Sequence, residues 1–193
     1  MADSTAHVVV GVALRVRDGQ LEMMSAEAER ASGEGLEEAL GRALDVPALA
    51  HVEQLDTRLQ PDGRLATVYL GLVPADRTVP GAWTTELDEL ALAAQARLRA
   101  KLSYTNVGFA LAPAVFTISE LREIYVAALG HDVSSTNLQR VLVRRGVLER
   151  ADGMRAPGRS GGRPAALFRF ADQRLTVTDE FAALRPPGSR ASG

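Results

Sequence analysis

Cysteine is absent from this 193-residue chain, which excludes disulfides, thiolate zinc sites and a cysteine nucleophile. Lysine is nearly absent: Lys101 is the sole lysine among 22 basic residues. Arginine forks phosphate and guanine better than lysine does, but a compositional bias explains the same count, so the observation decides little. The three histidines, His7, His51 and His131, are scattered without metal-ligand spacing. No metal site and no cofactor are expected. No Ser/His/Asp neighbourhood is visible, and Gly33-Glu34-Gly35 fits neither the dinucleotide nor the P-loop glycine pattern. No apolar run approaches the roughly 18 residues of a membrane span. No basic start leads into an apolar stretch with a cleavage site, so a soluble, cytoplasmic protein with no membrane partner is expected.

What is present is a core and an uneven charge. At 46% hydrophobic residues the chain can bury a substantial interior, and its length suits one medium domain or two small ones. Up to Lys101 there are 10 basic against 16 acidic residues, and from Leu102 onward 12 against 8. Between Ser134 and Phe170 the ratio is 8 to 2. A formal net charge of −2 therefore conceals a basic segment of the kind that meets nucleic acid.

The hydrophobic period locates the elements. Residues 6–16 and 20–24 read as a hairpin about Asp18-Gly19. Leu36, Ala39, Leu40, Ala43 and Leu44 form the apolar stripe of a helix stopped near Pro47, and residues 51–59 and 65–73 read as strands joined by Pro61-Asp62-Gly63. A Pro/Gly loop with Trp83, read as a packing anchor, precedes a long helix from about Glu86 to Ser103. Its stripe of Leu87, Leu90, Ala91, Ala94, Leu98 and Leu102 suits a bridge between halves, a dimer seam or a cover for the sheet. Thr117-Ile118-Ser119-Glu120 has the form of a capping box, and the helix it opens closes at Gly130. After a short turn, Ser134 or Ser135 caps a second helix to about Arg145, and two short strands flank the arginine- and glycine-rich loop from Arg155 to Pro164. Helix, turn, helix and ribbon is the order of a winged helix-turn-helix. Residues 185–193 read as a disordered tail.

On the second of these helices, inward Leu138, Val141 and Leu142 leave Thr136, Asn137, Arg140 and Arg144 on the outer side, with Arg145 at its end. Asparagine can fork adenine and arginine guanine in the major groove. An isolated set of this kind is usually a solvated helix face. Here it is joined by Arg155, Arg159 and Arg163, with Arg169 beyond, on a loop with no nearby carboxylates except Glu149 and Asp152. Such loops track phosphates or enter the minor groove. These eight residues, Thr136 to Arg163, are the expected DNA contacts.

The stretches Lys101 to Leu111, Phe116 to Arg122, Asn137 to Arg140, Gly161 to Ala165 and Leu167 to Phe170 resemble the winged-helix domain of NrtR-type, Nudix-related transcriptional regulators. The resemblance implies an α+β chain in which a Nudix-like α/β/α sandwich (1–102) precedes a winged helix-turn-helix (103–184). It also implies a homodimer on a pseudo-palindromic operator in double-stranded DNA, regulation of NAD-related genes, often as a repressor, and ADP-ribose as effector.

The Nudix pattern GX5EX7REUXEEXGU, with U apolar, supplies carboxylates that hold a divalent metal on a pyrophosphate. Glu34 and Arg42 keep the E-X7-R spacing and Leu44 the first apolar position. Ala28 replaces the first glycine, Ala43 the glutamate after the arginine, Val46 and Pro47 the paired glutamates, and Leu49 the last glycine. Oxygen-rich metal ligation is lost, so no catalytic residue is expected, and the Glu34–Arg42 spacing reads as a structural salt bridge or chance. Ligand-binding residues are not identified. Glu27, Glu29 and Glu34 are expected to repel a pyrophosphate, predicting weak or absent ADP-ribose binding. The competing readings are a divergent Nudix hydrolase with a regulatory appendage, which lacks the carboxylates it needs, and a winged-helix protein-interaction module, against which the basic loop argues.

Overall fold

In the computed structural model, residues 7–29, 31, 34–44, 49–156 and 163–179 are described. The chain opens with β1 (His7–Arg17) and β2 (Gln20–Glu29), an antiparallel hairpin whose turn places Asp18 and Gly19 at positive φ of 49° and 72°. The expected second strand was too short by five residues, because its polar Ser25 to Glu29 extension alternates outward and inward on an edge. Helix α1 (Leu36–Leu44) follows, then β3 (His51–Leu59) and β4 (Leu65–Leu72). The sheet order is β2-β1-β4-β3, with β1 and β4 parallel.

That order puts β1 in the interior with both faces covered, which explains its nearly unbroken β-branched run. Val8, Val10, Val12 and Leu14 face one layer and Val9 and Ala13 the other. On the second face lie Ala39, Leu40 and Leu44 of α1. At Gly11, a Cβ would come within 2.5 Å of Leu44, so only glycine lets this helix seat against the strand. On the first face lies α2 (Glu89–Tyr104), capped by the Asp88 carboxylate accepting from Ala91 N at 2.8 Å. Its Ala91, Ala94 and Leu98 are fully buried against the sheet. Of the uses open to this stripe, the cover for the sheet and the bridge to the following helices are both realised, and the layers form an α/β/α sandwich.

Arg15 occupies a core position on the α1 side and is only 6% exposed. Its charge is met by Glu22 at 2.6 Å, its Nη1 donates to Val79 O at 3.2 Å, and its guanidinium lies 3.9 Å from the centre of the Trp83 ring. Trp83 Nε1 donates to the same carbonyl at 3.0 Å. The expected packing anchor is thus the lid over a buried arginine.

Beyond α2 come a 3-10 turn (Val107–Ala110), α3 (Ile118–Leu129), α4 (Ser135–Arg144) and the ribbon β5 (Leu148–Arg155) with β6 (Ala165–Phe170). Their apolar side chains do not form a separate interior. Leu102, Val107, Phe109, Leu121, Tyr125, Leu142 and Phe168 continue the cluster that begins under β1, and α3 touches β1 and β2. The expected tail, 185–193, lies outside the described residues.

Candidate nucleic-acid interface

The second helical unit is built by local signals that each close a hydrogen bond. Thr117 Oγ1 accepts from Glu120 N at 3.2 Å while Thr117 N donates to Glu120 Oε2 at 2.7 Å, a complete capping box. Gly130 ends α3 in the left-handed region at φ 71°, and Arg122 holds the following turn through Val133 O at 2.8 Å and the Asp132 carboxylate. Ser134 caps α4 by accepting from Asn137 N at 3.4 Å. Underneath, the Tyr125 ring fills the space beside Gly108, where a Cβ would meet its hydroxyl at 2.6 Å. Burial pushes that phenol well above its usual range.

Leu138 and Leu142 face the core, which turns Thr136, Asn137, Arg140 and Arg144 outward, all exposed. Arg140 Nη2 donates to Asn137 Oδ1 at 2.8 Å, an i, i+3 pair that aims the guanidinium along the outer face. An asparagine reading adenine needs the same Oδ1 as acceptor. In the DNA-free protein Arg140 engages one lone pair of that oxygen and leaves its second, so the pair presents the Arg140 guanidinium and the Asn137 amide side by side.

Arg145 departs from this set. Its Nη1 donates to Ser103 O at 2.9 Å and its Nη2 to Asp179 Oδ2 at 2.8 Å, with a side chain only 14% exposed. The helical period carries residue 145 to the inner side together with 138 and 142, so it serves the junction with α2 instead of the outer face.

The ribbon is also more tied down than its composition implies. Arg155 Nη2 reaches Glu120 Oε2 at 3.2 Å, and Arg169 pairs with Glu149 at 2.6 Å. The expectation of a loop short of carboxylates is corrected for Arg155: its partner comes from α3, distant in sequence and adjacent in space. Arg163 is exposed and has no ion pair among the described residues. Arg159 lies outside them. The ribbon's register shifts between Arg150 and Met154, with Gly153 at φ 88°, a bulge of the sort that bends a strand pair. Phe116 adds a bridge to Phe168, its N donating at 3.0 Å and its O accepting at 2.8 Å.

Sequence reasoning missed the segment after the ribbon. Asn106, 3% exposed, donates through Nδ2 to Asp172 O at 3.2 Å and Arg174 O at 2.9 Å, and accepts from Thr176 N at 2.8 Å. Thr105 bridges Val177, and Thr178 N donates to Tyr104 O at 2.7 Å. Residues 172–179 are thereby strapped along the end of α2. The available signal was a single asparagine at the head of the apolar run 107–112.

At the N-terminal end, the surviving Nudix spacing is a loop-to-helix clamp. Glu34 Oε2 receives Arg42 Nη2 at 2.7 Å and Ala31 N at 2.8 Å, while Arg42 also donates to Glu29 O at 2.9 Å. The expected repulsion of a pyrophosphate is weakened here, because Arg64 lies 3.1 Å from Glu27 and 3.5 Å from Glu29 and Glu34 is occupied by Arg42. Val46 and Pro47, which replace the paired glutamates, lie outside the described residues. Among those described, no three histidine or acidic side chains converge as a metal cage.

A third cluster joins the sheet edge to α2. Glu53 receives Lys101, with Arg97 at 3.6 Å and His51 Nε2 at 3.5 Å. Burial, reinforced by Lys101, holds the His51 imidazole below its ordinary pKa against the opposing pull of Glu53.

Comparison with known proteins places these features. Residues 108–170 match the model of the NrtR DNA-binding winged helix domain. A curated relative from Acinetobacter baylyi, described as an ADPR responsive transcriptional repressor, is 40% identical over 78 residues, which are 40% of this chain and 30% of that protein. The match thus spans under a third of the relative's length. Shewanella oneidensis NrtR in complex with a 27mer DNA superposes with a TM-score of 0.66 at 22% identity, covering 84% of this chain and 92% of that one. A MutT/nudix family protein from Enterococcus faecalis gives 0.68 at 14% identity, covering 89% and 90%. At these identities the two superpositions speak for the fold. No helix among the described residues is long and apolar enough to cross a membrane.

Proposed function

We propose that this chain, which folds as a Nudix-like sandwich joined to an NrtR-like winged helix, is an NrtR-type DNA-binding transcriptional regulator whose N-terminal unit senses a ligand instead of hydrolysing one. The observation that carries the reading is the outer face of α4, where Asn137 and Arg140 are paired and exposed beside Arg144, next to a ribbon bearing exposed Arg163. The proposed contacts are Thr136, Asn137, Arg140 and Arg144 from the helix and Arg155, Arg159 and Arg163 from the wing; Arg145 supports the helix from behind.

Two copies related by a two-fold axis would set recognition helices on half-sites about 34–36 Å apart, which makes a pseudo-palindromic operator the partner. The unit boundary near Leu102 is the corresponding division of labour, with α2 crossing it. Arg99 Nε donates to Ala128 O at 3.4 Å and Arg145 holds Ser103, so a displacement of α2 on the sheet would be passed to both winged-helix helices. A ligand alters DNA affinity by binding one arrangement better than the other.

For the ligand we propose a nucleotide-like compound, with ADP-ribose the first to titrate. The relative's ADPR response and the arginine partners of Glu27, Glu29 and Glu34 support it. The degenerate box, with Ala43, Val46 and Pro47 in place of glutamates, supports loss of hydrolysis.

Selection of bound sequences from a random duplex pool tests the DNA reading. A recurring inverted repeat, bound with an affinity that falls steeply with salt, is the expected result. No enrichment, with binding independent of salt, returns the winged helix to a protein-interaction role. Titrating ADP-ribose into the full-length protein on its operator then tests the sensor, a shift in DNA affinity being expected.

A further inference from the structure

The outer face of α4 carries one side chain that electrostatics does not explain. Val143 is 47% exposed, amid polar and charged neighbours. With Thr136, Gln139, Arg140 and Arg144 it lines a shallow concavity of about 430 Å³ on the side turned away from the core. Residues 136, 139, 140 and 143 follow the i, i+3, i+4, i+7 spacing. That is the spacing by which a helix lying in the major groove presents four side chains to successive bases, as homeodomain helices do. An apolar side chain at such a position has one complementary feature among the base edges in the groove, the 5-methyl group of thymine.

Resting on the proposed DNA-binding role, we infer that Val143 is a specificity-determining residue that selects a thymine by contact with its methyl group, next to the base addressed by Arg140. The isopropyl group offers no hydrogen bond, so it discriminates by burying apolar surface. Seating a methyl in the concavity removes about one carbon's worth of apolar area from water, worth about 0.8 kcal/mol, or roughly fourfold in affinity at about 1.4 kcal/mol per tenfold. Cytosine at that place presents an amino donor and no methyl, and gains nothing from valine.

The test replaces each operator thymine in turn by deoxyuridine, which deletes the methyl and leaves every hydrogen-bonding group in place. With the wild-type protein, binding is expected to weaken about fourfold at one position of each half-site. With Val143→Ala, deoxyuridine at that position is expected to make no further difference, while sensitivity elsewhere is unchanged; Val143 is exposed, so the variant folds. A wild-type protein indifferent to deoxyuridine at every position, or a Val143→Ala protein with the same sensitivity as wild type, overturns the inference and leaves DNA binding standing. Absence of any enriched operator overturns the DNA-binding role and this inference together.

Discussion

Arg145 and Asp179, 34 residues apart, form an ion pair of 2.8 Å in which each side chain is about 15% exposed. The same guanidinium takes the Ser103 carbonyl at the end of α2. One residue beside it in sequence, Arg144 is exposed and aimed at solvent. Adjacent arginines thus face opposite ways, and the difference is measurable. Arg145→Ala strips two charge-assisted hydrogen bonds, to Ser103 O and to the Asp179 carboxylate, costing about 1.5–3 kcal/mol. For a chain of this size that lowers Tm by roughly 5–10 °C. Arg144→Ala is expected to leave Tm almost unchanged and to weaken DNA binding. Equal Tm values for the two variants in a thermal melt would contradict the assignment.

Arg140 and Arg163 should also differ, but in the way they touch DNA. Losing a base-edge fork at Arg140 costs about 1–3 kcal/mol and relaxes the preference at one operator position. Losing a phosphate contact at Arg163 weakens all sequences alike and reduces the salt slope by about one unit. Binding isotherms of both alanine variants at several salt concentrations separate these effects, and unchanged affinity in both would remove α4 and the wing from the interface.

The Nudix remnant is expected to be inert. With Mg²⁺ or Mn²⁺, ADP-ribose and related pyrophosphates should remain intact, since Glu34 is engaged by Arg42 and Ala31 and the glutamates that would hold metal are replaced. Metal-dependent turnover that disappears in Glu34→Gln, followed by chromatography of the products, would reinstate the hydrolase reading.

His51 gives the sheet edge a dependence on pH. Its folded-state pKa lies below the unfolded value, so the unfolded chain takes up a proton first as pH falls. The contribution of the neutral imidazole is therefore present above pH ~6.5 and is lost as pH falls through the folded-state value. Urea melts of the wild type should show stability declining across that window, and His51→Gln should flatten the decline. A decline of the same steepness in the variant would assign the effect to other groups.

The sequence by itself determined most of the elements and the outer face of α4. The reason is local: the capping box at Thr117 and Glu120, the left-handed Gly130 and the Ser134 cap are closed by neighbours within a few residues, and the 3.6-residue period orients Arg140 outward once Leu138 and Leu142 are inward. The departure from the Nudix pattern at Ala43, Val46 and Pro47 was likewise a matter of residue identity at fixed spacing. Tertiary structure decided everything that depends on which distant segments meet. Only the β2-β1-β4-β3 order explains why β1 is apolar on both faces. Only the fold brings Glu120 to Arg155, Arg64 to Glu27 and Glu29, and Asp179 to Arg145, turning apparent free charges into pairs. Charge pairing across tens of residues leaves no periodic trace in a sequence, because it is set by the packing of a shared apolar core and not by the spacing of the charges themselves.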